Sequence, residues 1–200
     1  MQNRIAFLLA IFSLAASSSC SPRDFLSRRL AADLIAASAS FKATQAIQLR
    51  TGIVSNQDYL SSESITLRRH GWATATTAAC PAGTSPAPCW DVVLTPSGVD
   101  TVRTLVSPEE ARRSAVSVPA ATRELVEVTG ISKQGNQAEV EFVWRWLPLN
   151  EIGAAFYAGE THYRSETVFR NYDDGWRVVE TSSPQGQFLE GALKNAVPVH

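Results

Sequence analysis

The chain has 200 residues, of which 18 are Lys or Arg and 19 are Asp or Glu, so its formal net charge is −1. This near-neutral balance gives no electrostatic argument for nucleic-acid binding. The length suffices for one larger domain or two small ones, with a real hydrophobic core.

The first segment in chain order, residues 1–19, has the three parts of a secretory signal. The positive charge of Arg4 precedes an apolar run over residues 5–16, and the small residues Ser17–Ser19 stand directly before Cys20. This order is typical of an export signal. Twelve residues of helix rise only about 18 Å, less than the roughly 30 Å core of a bilayer, so the run is too short for a membrane span.

Small residues followed by a cysteine resemble the lipobox of bacterial lipoproteins. The resemblance covers residues 1–20 and implies that Cys20 becomes the first residue of the mature chain and carries a fatty-acyl (palmitate) anchor. The family prefers Leu three positions before the cysteine, where this chain has Ser17, and its sorting habit reads Ser21 as permitting the outer membrane. The implied location is the cell envelope, on the outer membrane facing the periplasm. The alternative is an ordinary signal cut upstream, which leaves Cys20 as a free thiol.

The other two cysteines, Cys80 and Cys89, enclose eight residues that contain three prolines and a glycine. In an oxidising periplasm we expect these two to form a disulfide, and acylation of Cys20 then accounts for the third cysteine. Their spacing, with no nearby His, favours a structural role over a metal site or a redox motif. The sequence therefore predicts neither a metal nor a cofactor.

Residues 20–118 are predicted to form a region of helices with one hairpin. Ser21 and Pro22 predict a helix start directly after Cys20, which would hold the domain close to the membrane. The arginines of this helix would then lie near an anionic surface, although charges on a solvated helix face are also commonplace. These arginines are Arg23, Arg28 and Arg29. The predicted buried face of the helix consists of Leu26, Leu30, Leu34, Ala37 and Phe41.

Alternating residues from Ile47 to Ile53 predict a strand, and a second helix is predicted from Ser55, with Asp58 as its capping partner, to His70. Positive charge in the last turn suits the helix dipole, so His70 is interpreted as a helix-end residue rather than a catalytic one.

Two β-rich stretches, Trp72–Thr77 and Trp90–Leu94, predict a hairpin closed by the disulfide. Thr95 and Ser107 predict the starts of two short helices. This order of elements is similar to the winged-helix pattern over residues 24–106. The similarity implies a fold and not DNA binding, because the predicted wing between Trp72 and Trp90 contains no Lys or Arg.

Residues 119–183 are predicted to form a mainly antiparallel four-stranded sheet, so the predicted fold class is α+β. Its hairpins pair Arg123–Ile131 with Ala138–Leu147, and Tyr163–Asn171 with Trp176–Thr181. We expect the upstream helices to cover the apolar face, and residues 184–200 to form a partly ordered tail. One face of the second strand carries Val140, Phe142, Trp144 and Trp146; the other carries Glu139, Glu141 and Arg145.

No catalytic motif occurs in the sequence. Asp173 and Asp174 are interpreted as turn formers, since adjacent residues of a hairpin turn point apart. The enzymatic alternative is a periplasmic hydrolase with a site around His162 and an acidic residue such as Glu166.

Five tryptophans offer a second kind of site. Exposed, some would stack on a sugar or an apolar ligand; buried, they are large core residues. They are Trp72, Trp90, Trp144, Trp146 and Trp176. The sequence favours a non-catalytic binding or assembly module of the envelope, held at the membrane by Cys20, with an envelope protein as partner and no nucleic acid.

Overall fold

A computed structural model describes residues 25–82, 88–110, 113–157, 159–180 and 188–199. Cys20, the predicted signal segment and the predicted helix start at Ser21 and Pro22 lie outside these residues. The helices of the described part are α1 (Arg28–Ala37), α2 (Ala39–Lys42), α3 (Asn56–Tyr59), α4 (Ser62–Arg69), α5 (Pro96–Leu105), α6 (Glu151–Tyr157) and α7 (Leu189–Lys194). The strands are β1 (Gln45–Arg50), β2 (Gly52–Ser55), β3 (Ala73–Ala78), β4 (Cys89–Leu94), β5 (Ala115–Gln134), β6 (Gln137–Pro148), β7 (His162–Tyr172), β8 (Gly175–Val178) and β9 (Val197–Val199).

The larger sheet has six strands in the order β1-β5-β6-β7-β8, with β9 also paired to β7. All its pairs are antiparallel, which confirms the predicted α+β class and both predicted hairpins. The sheet has two strands more than the four that were predicted. The first part of β5 pairs with β1, from Gln45 opposite Ala121 to Arg50 opposite Ala115, and the chain end supplies β9. The boundary expected after residue 118 therefore falls inside β5.

The strand expected over Ile47–Ile53 is divided between two sheets. β1 ends at Arg50, and Gly52, with φ of +81°, turns the chain so that β2 joins a three-stranded sheet in the order β2-β4-β3. A positive φ is costly for residues with a side chain, which explains the glycine. The pair β3 and β4 is the predicted hairpin, and the disulfide between Cys80 and Cys89 closes it as expected.

Two hydrophobic cores lie on opposite faces of the larger sheet. The face predicted to be apolar packs under α1, α2 and α7, with Phe142, Trp144 and Phe169 almost fully buried. On the other face, Val116 and Val118 at the start of β5 pack against the smaller sheet and helices α4 to α6. No helix of the described part is both long and apolar enough to span a bilayer.

Helix α1 begins later than the sequence indicated. Its N-cap is Ser27, whose Oγ accepts a hydrogen bond from the Leu30 amide at 3.1 Å, and residues 25–27 are not helical. Ser21 and Ser27 are equally suitable caps by residue type, but the start at Ser27 places Ala31 and Ile35 on the sheet. Ala37, expected in the buried face, is exposed.

The second predicted helix is also divided. α3 stops at Tyr59, and Ser61 caps α4 by accepting a hydrogen bond from the Ser64 amide at 3.2 Å. The start at Thr95 is confirmed by α5. The short helix expected from Ser107 extends over residues 111–112, which lie outside the described residues; before them, the Glu110 amide donates to Ser107 Oγ at 3.3 Å.

The C-terminal segment is tied to the larger sheet by a buried serine. Trp144 Nε1 donates to Ser165 Oγ at 3.0 Å, and Ser165 Oγ donates to the Ala192 carbonyl oxygen in α7 at 2.9 Å. Thr167 lies two residues after Ser165 on the same face of β7. Its hydroxyl is fully buried and has no hydrogen-bond partner among the described residues. The Ser165 hydroxyl therefore stabilises the fold, whereas the Thr167 hydroxyl destabilises it.

We expect Ser165→Ala to lower the free energy of unfolding by about 1–3 kcal/mol, because it leaves two buried polar groups unpaired. The isosteric Thr167→Val should raise it by about 1–2 kcal/mol, because a desolvated hydroxyl is removed. Urea unfolding of both variants measures the difference. A destabilising Thr167→Val would contradict the assignment of its hydroxyl as unsatisfied.

Candidate functional site

Three of the five tryptophans are core residues. Trp72, Trp144 and Trp176 expose 8%, 1% and 4% of their surface, which is too little to stack on a ligand. Trp90 and Trp146 are half-buried. The structure therefore supports the core interpretation for the first three and leaves two rings to consider.

Both half-buried rings already stack on side chains of the protein itself. Tyr59 lies parallel to Trp90 with centroids 3.9 Å apart, and Trp90 Nε1 donates to Asn56 Oδ1 at 3.0 Å. Above Trp146 lies the Arg123 guanidinium, 4.6 Å from the ring centroid. Burial lowers the pKa of Arg123, with Tyr157 opposing this shift. These contacts use the ring faces for packing between elements.

The residues of the enzymatic alternative are not brought together. His162 and Glu166 lie on the same strand and face, but four residues of strand separate them by about 13 Å, which is beyond hydrogen-bond reach. Glu166 is exposed, and His162 lies opposite Arg145 on β6 and Val199 on β9.

Two turn aspartates and His70, the remaining candidate residues, have structural roles. Asp173 and Asp174 occupy the turn between β7 and β8, where Asp174 pairs with Arg177. His70 caps the C-terminal end of α4 and stacks on Trp72 at 4.9 Å. Among the described residues, no three His, Cys, Asp or Glu side chains are grouped to hold a metal ion.

A cavity of about 230 Å³ opens where the chain passes from one sheet to the other. Its polar rim includes Arg50 and Asp58, whose Nη1 and Oδ1 atoms are 2.8 Å apart, and Glu63 at the start of α4. Ser55 Oγ donates to Asp58 Oδ2 at 2.9 Å and so fixes the carboxylate. We call this the central cavity. It is lined by Gln48, Arg50, Val54, Asp58, Ser61, Glu63, Ser64, Leu67, Ala73 and Val92.

The central cavity joins charges of both signs to an apolar floor. Val54, Leu67 and Val92 are buried members of the second core, so the floor is rigidly packed. The sequence indicated Asp58 only as the capping partner of Ser55. The structure confirms this contact, because the Asp58 amide donates to Ser55 Oγ at 3.1 Å. The sequence did not indicate Arg50 as a site residue, because its position on the rim depends on the turn at Gly52.

A second concave surface lies beside the first described residues. It has a volume of about 350 Å³ and is mainly apolar. We call it the N-terminal groove. Its lining residues are Phe25, Leu26, Ser27, Arg28, Ile131 and Lys133.

Comparison with protein-family models, with curated proteins and with solved structures finds no match to this chain.

Acrylamide quenching of tryptophan fluorescence tests the burial of the rings. We expect Trp90 and Trp146 to account for nearly all quenching, so a variant with both Trp90→Phe and Trp146→Phe should emit but resist the quencher. The matched control is Trp72→Phe with Trp144→Phe, which removes buried rings and should leave steep quenching. Steep quenching of the first variant would contradict the core positions of the remaining rings.

Proposed function

We propose that this protein is a lipid-anchored binding or assembly module of the bacterial cell envelope, acylated at Cys20 and acting through protein contacts. The observation that carries the proposal is the short apolar run followed by Ser17–Ser19 and Cys20. A disulfide at Cys80 and Cys89 supports it, because such bonds persist in oxidising compartments.

The central cavity is the place where we expect the partner to bind. Its volume of about 230 Å³ is below the roughly 300–1,000 Å³ of most small-molecule sites. A space of this size suits one or two inserted side chains of a partner. The rim offers Arg50 to an acidic group, and Asp58 and Glu63 to a basic one, which gives directional recognition.

A non-catalytic role agrees with the surroundings of the titratable side chains. The separation of His162 from Glu166 along β7 leaves the histidine without that acidic partner. On the rim, Arg50 and Asp58 are held in an ion pair with each other, with Nη1 and Oδ1 2.8 Å apart.

Acylation is tested by mass spectrometry of the mature chain purified from bacterial membranes. We expect the mature chain to start at Cys20 and to carry the mass of its acyl groups. Ser17→Leu, which restores the residue that the lipoprotein family prefers, should keep this product, and Cys20→Ala should abolish it. An unmodified thiol at Cys20, or a cut upstream of it, would contradict the anchor.

Partner binding is tested by photo-cross-linking in intact envelopes. Benzoylphenylalanine in place of Gln48, on the cavity rim, should give a discrete cross-linked protein; the same group in place of exposed Val126 should not. Arg50→Glu should reduce the product about tenfold or more, because like charges across an interface cost several kcal/mol. Arg103→Glu, on an exposed position of α5, is the matched control. Equal products at Gln48 and Val126 would refute the cavity as the contact site.

A further inference from the structure

We propose that the end of the domain bearing the N-terminal groove docks directly on an anionic phospholipid surface. This inference rests on the proposed anchor at Cys20, and it adds a second, non-covalent contact that orients the domain.

Three segments meet at this end of the domain. The start of α1 lies against Ile131 and Lys133 near the end of β5, where they line the groove together. The turn between β5 and β6 adjoins the turn between β7 and β8, since the Asn171 amide donates to the Asn136 carbonyl oxygen at 2.8 Å. We call this surface the hairpin end: the groove with the two turns.

The hairpin end presents large apolar side chains to solvent. Phe25 is 71% exposed, the highest value among the large apolar residues that the structure describes, whereas its neighbour Leu26 is 4% exposed. Because Leu26 is packed into the first core, the Phe25 ring is held outward next to the groove. Tyr172, at the neighbouring turn, is 49% exposed. Aromatic rings of this kind are favoured at the boundary between lipid and water.

Basic side chains lie close to Phe25. Arg28 and Arg29 are exposed in the first turn of α1, and Lys133 lies on the groove. No described carboxylate forms an ion pair with either arginine. Of the carboxylates at this end, Asp33 is one turn along α1, and Asp174 in the turn is paired with Arg177. The positive charge of Arg28 and Arg29 is complementary to anionic headgroups.

Helix stability does not explain the two arginines. Positive charge at a helix N-terminus opposes the helix dipole, and the first turn of α1 contains no acidic residue. Helix α4 has the favourable arrangement, with Glu63 in its first turn and Arg68 in its last; α7 repeats it with Glu190 and Lys194. The arginines of α1 are therefore better explained by a contact outside the helix.

The length of the tether identifies lipid as the occupant. Five peptide units join Cys20 to Phe25, so their Cα atoms are at most about 18 Å apart. An acylated Cys20 lies among the headgroups, which keeps Phe25, Arg28 and Arg29 within reach of them. Another protein would have to displace the bilayer from this end.

The test uses the acylated protein in vesicles of phosphatidylcholine, with or without phosphatidylglycerol, and a trace of photoreactive phospholipid. The decisive cross-links are those on the turn at residues 134–136 and on Tyr172, because these lie far from Cys20 in sequence. We expect them only with phosphatidylglycerol present, and none on the peptide that contains exposed Leu60.

Variants separate docking from anchoring. Arg28→Glu with Arg29→Glu should reduce the cross-links on the turn about fivefold for each basic side chain removed, and Phe25→Ser should reduce them as well. Arg103→Glu and Leu60→Ser are the matched controls and should change nothing. Thermal unfolding checks that each variant is folded. In every case the acyl mass on Cys20 should persist.

Uniform cross-linking over the surface, or cross-linking independent of phosphatidylglycerol, would overturn the docking proposal while leaving the anchor intact. If Cys20 instead proves unmodified, the anchor fails by itself. The same chain should then still co-sediment with vesicles containing phosphatidylglycerol, and failure to do so would refute docking as well.

Discussion

Strand β5 is the element on which the rest of the fold depends, because it supplies side chains to both cores. Its first part turns Val116 and Val118 toward the second core, and its later part turns Leu125 and Val128 toward the first. Simple alternation along the strand accounts for the change from Val118 to Leu125. Two irregularities in the pairing with β6, at Leu125/Glu127 and Val128/Gly130, then keep Leu125, Val128 and Ile131 on the same face although they are three residues apart. Each bulge inserts one residue and so changes which side chain faces the core. Without the first bulge, the alternation would place Glu127 in the position that Val128 takes.

The same constraint creates the central cavity. Because β1 is committed to β5, the smaller sheet must begin with β2 immediately after the turn at Gly52. The two sheets therefore diverge from one point, and α3 and α4 only partly fill the wedge between them. The ion pair of Arg50 and Asp58 lies on the rim of this opening. Where the chain passes directly from one sheet to another, an open wedge beside the turn is a direct consequence.

Short-range features of the fold were predictable from the sequence, and long-range ones were not. Hairpins and the disulfide are local: turn residues such as Asp174 with Gly175, and the Cys80 to Cys89 spacing, carry their own signal. The pairing of Gln48 with Ser117 joins residues far apart in the sequence, and no periodicity encodes it. Helix starts are only partly predictable. Ser21 and Ser27 are both good N-caps by residue type, and only packing on the sheet determines that α1 begins after Ser27.

The candidate sites follow the same division. The sequence identified Cys20 and the tryptophans by residue type, but type alone does not tell a core ring such as Trp144 from an exposed one. Phe25 belonged to no predicted pattern, because it becomes conspicuous only when Leu26 beside it is seen to be buried. Arg50 likewise acquires a role only through a turn that brings it to Asp58.

The length of β5 relates the two proposed contacts to each other. Ser117 pairs with Gln48 at the central cavity, whereas Ile131 lines the N-terminal groove. Fourteen residues of strand, shortened by two bulges, separate these positions by roughly 40 Å. A domain that docks on lipid through the groove therefore holds the central cavity away from the bilayer, where a partner in the periplasm can reach it. The acyl group alone would leave the domain free to rotate; the proposed lipid contact at the opposite end of β5 would give the cavity a defined direction.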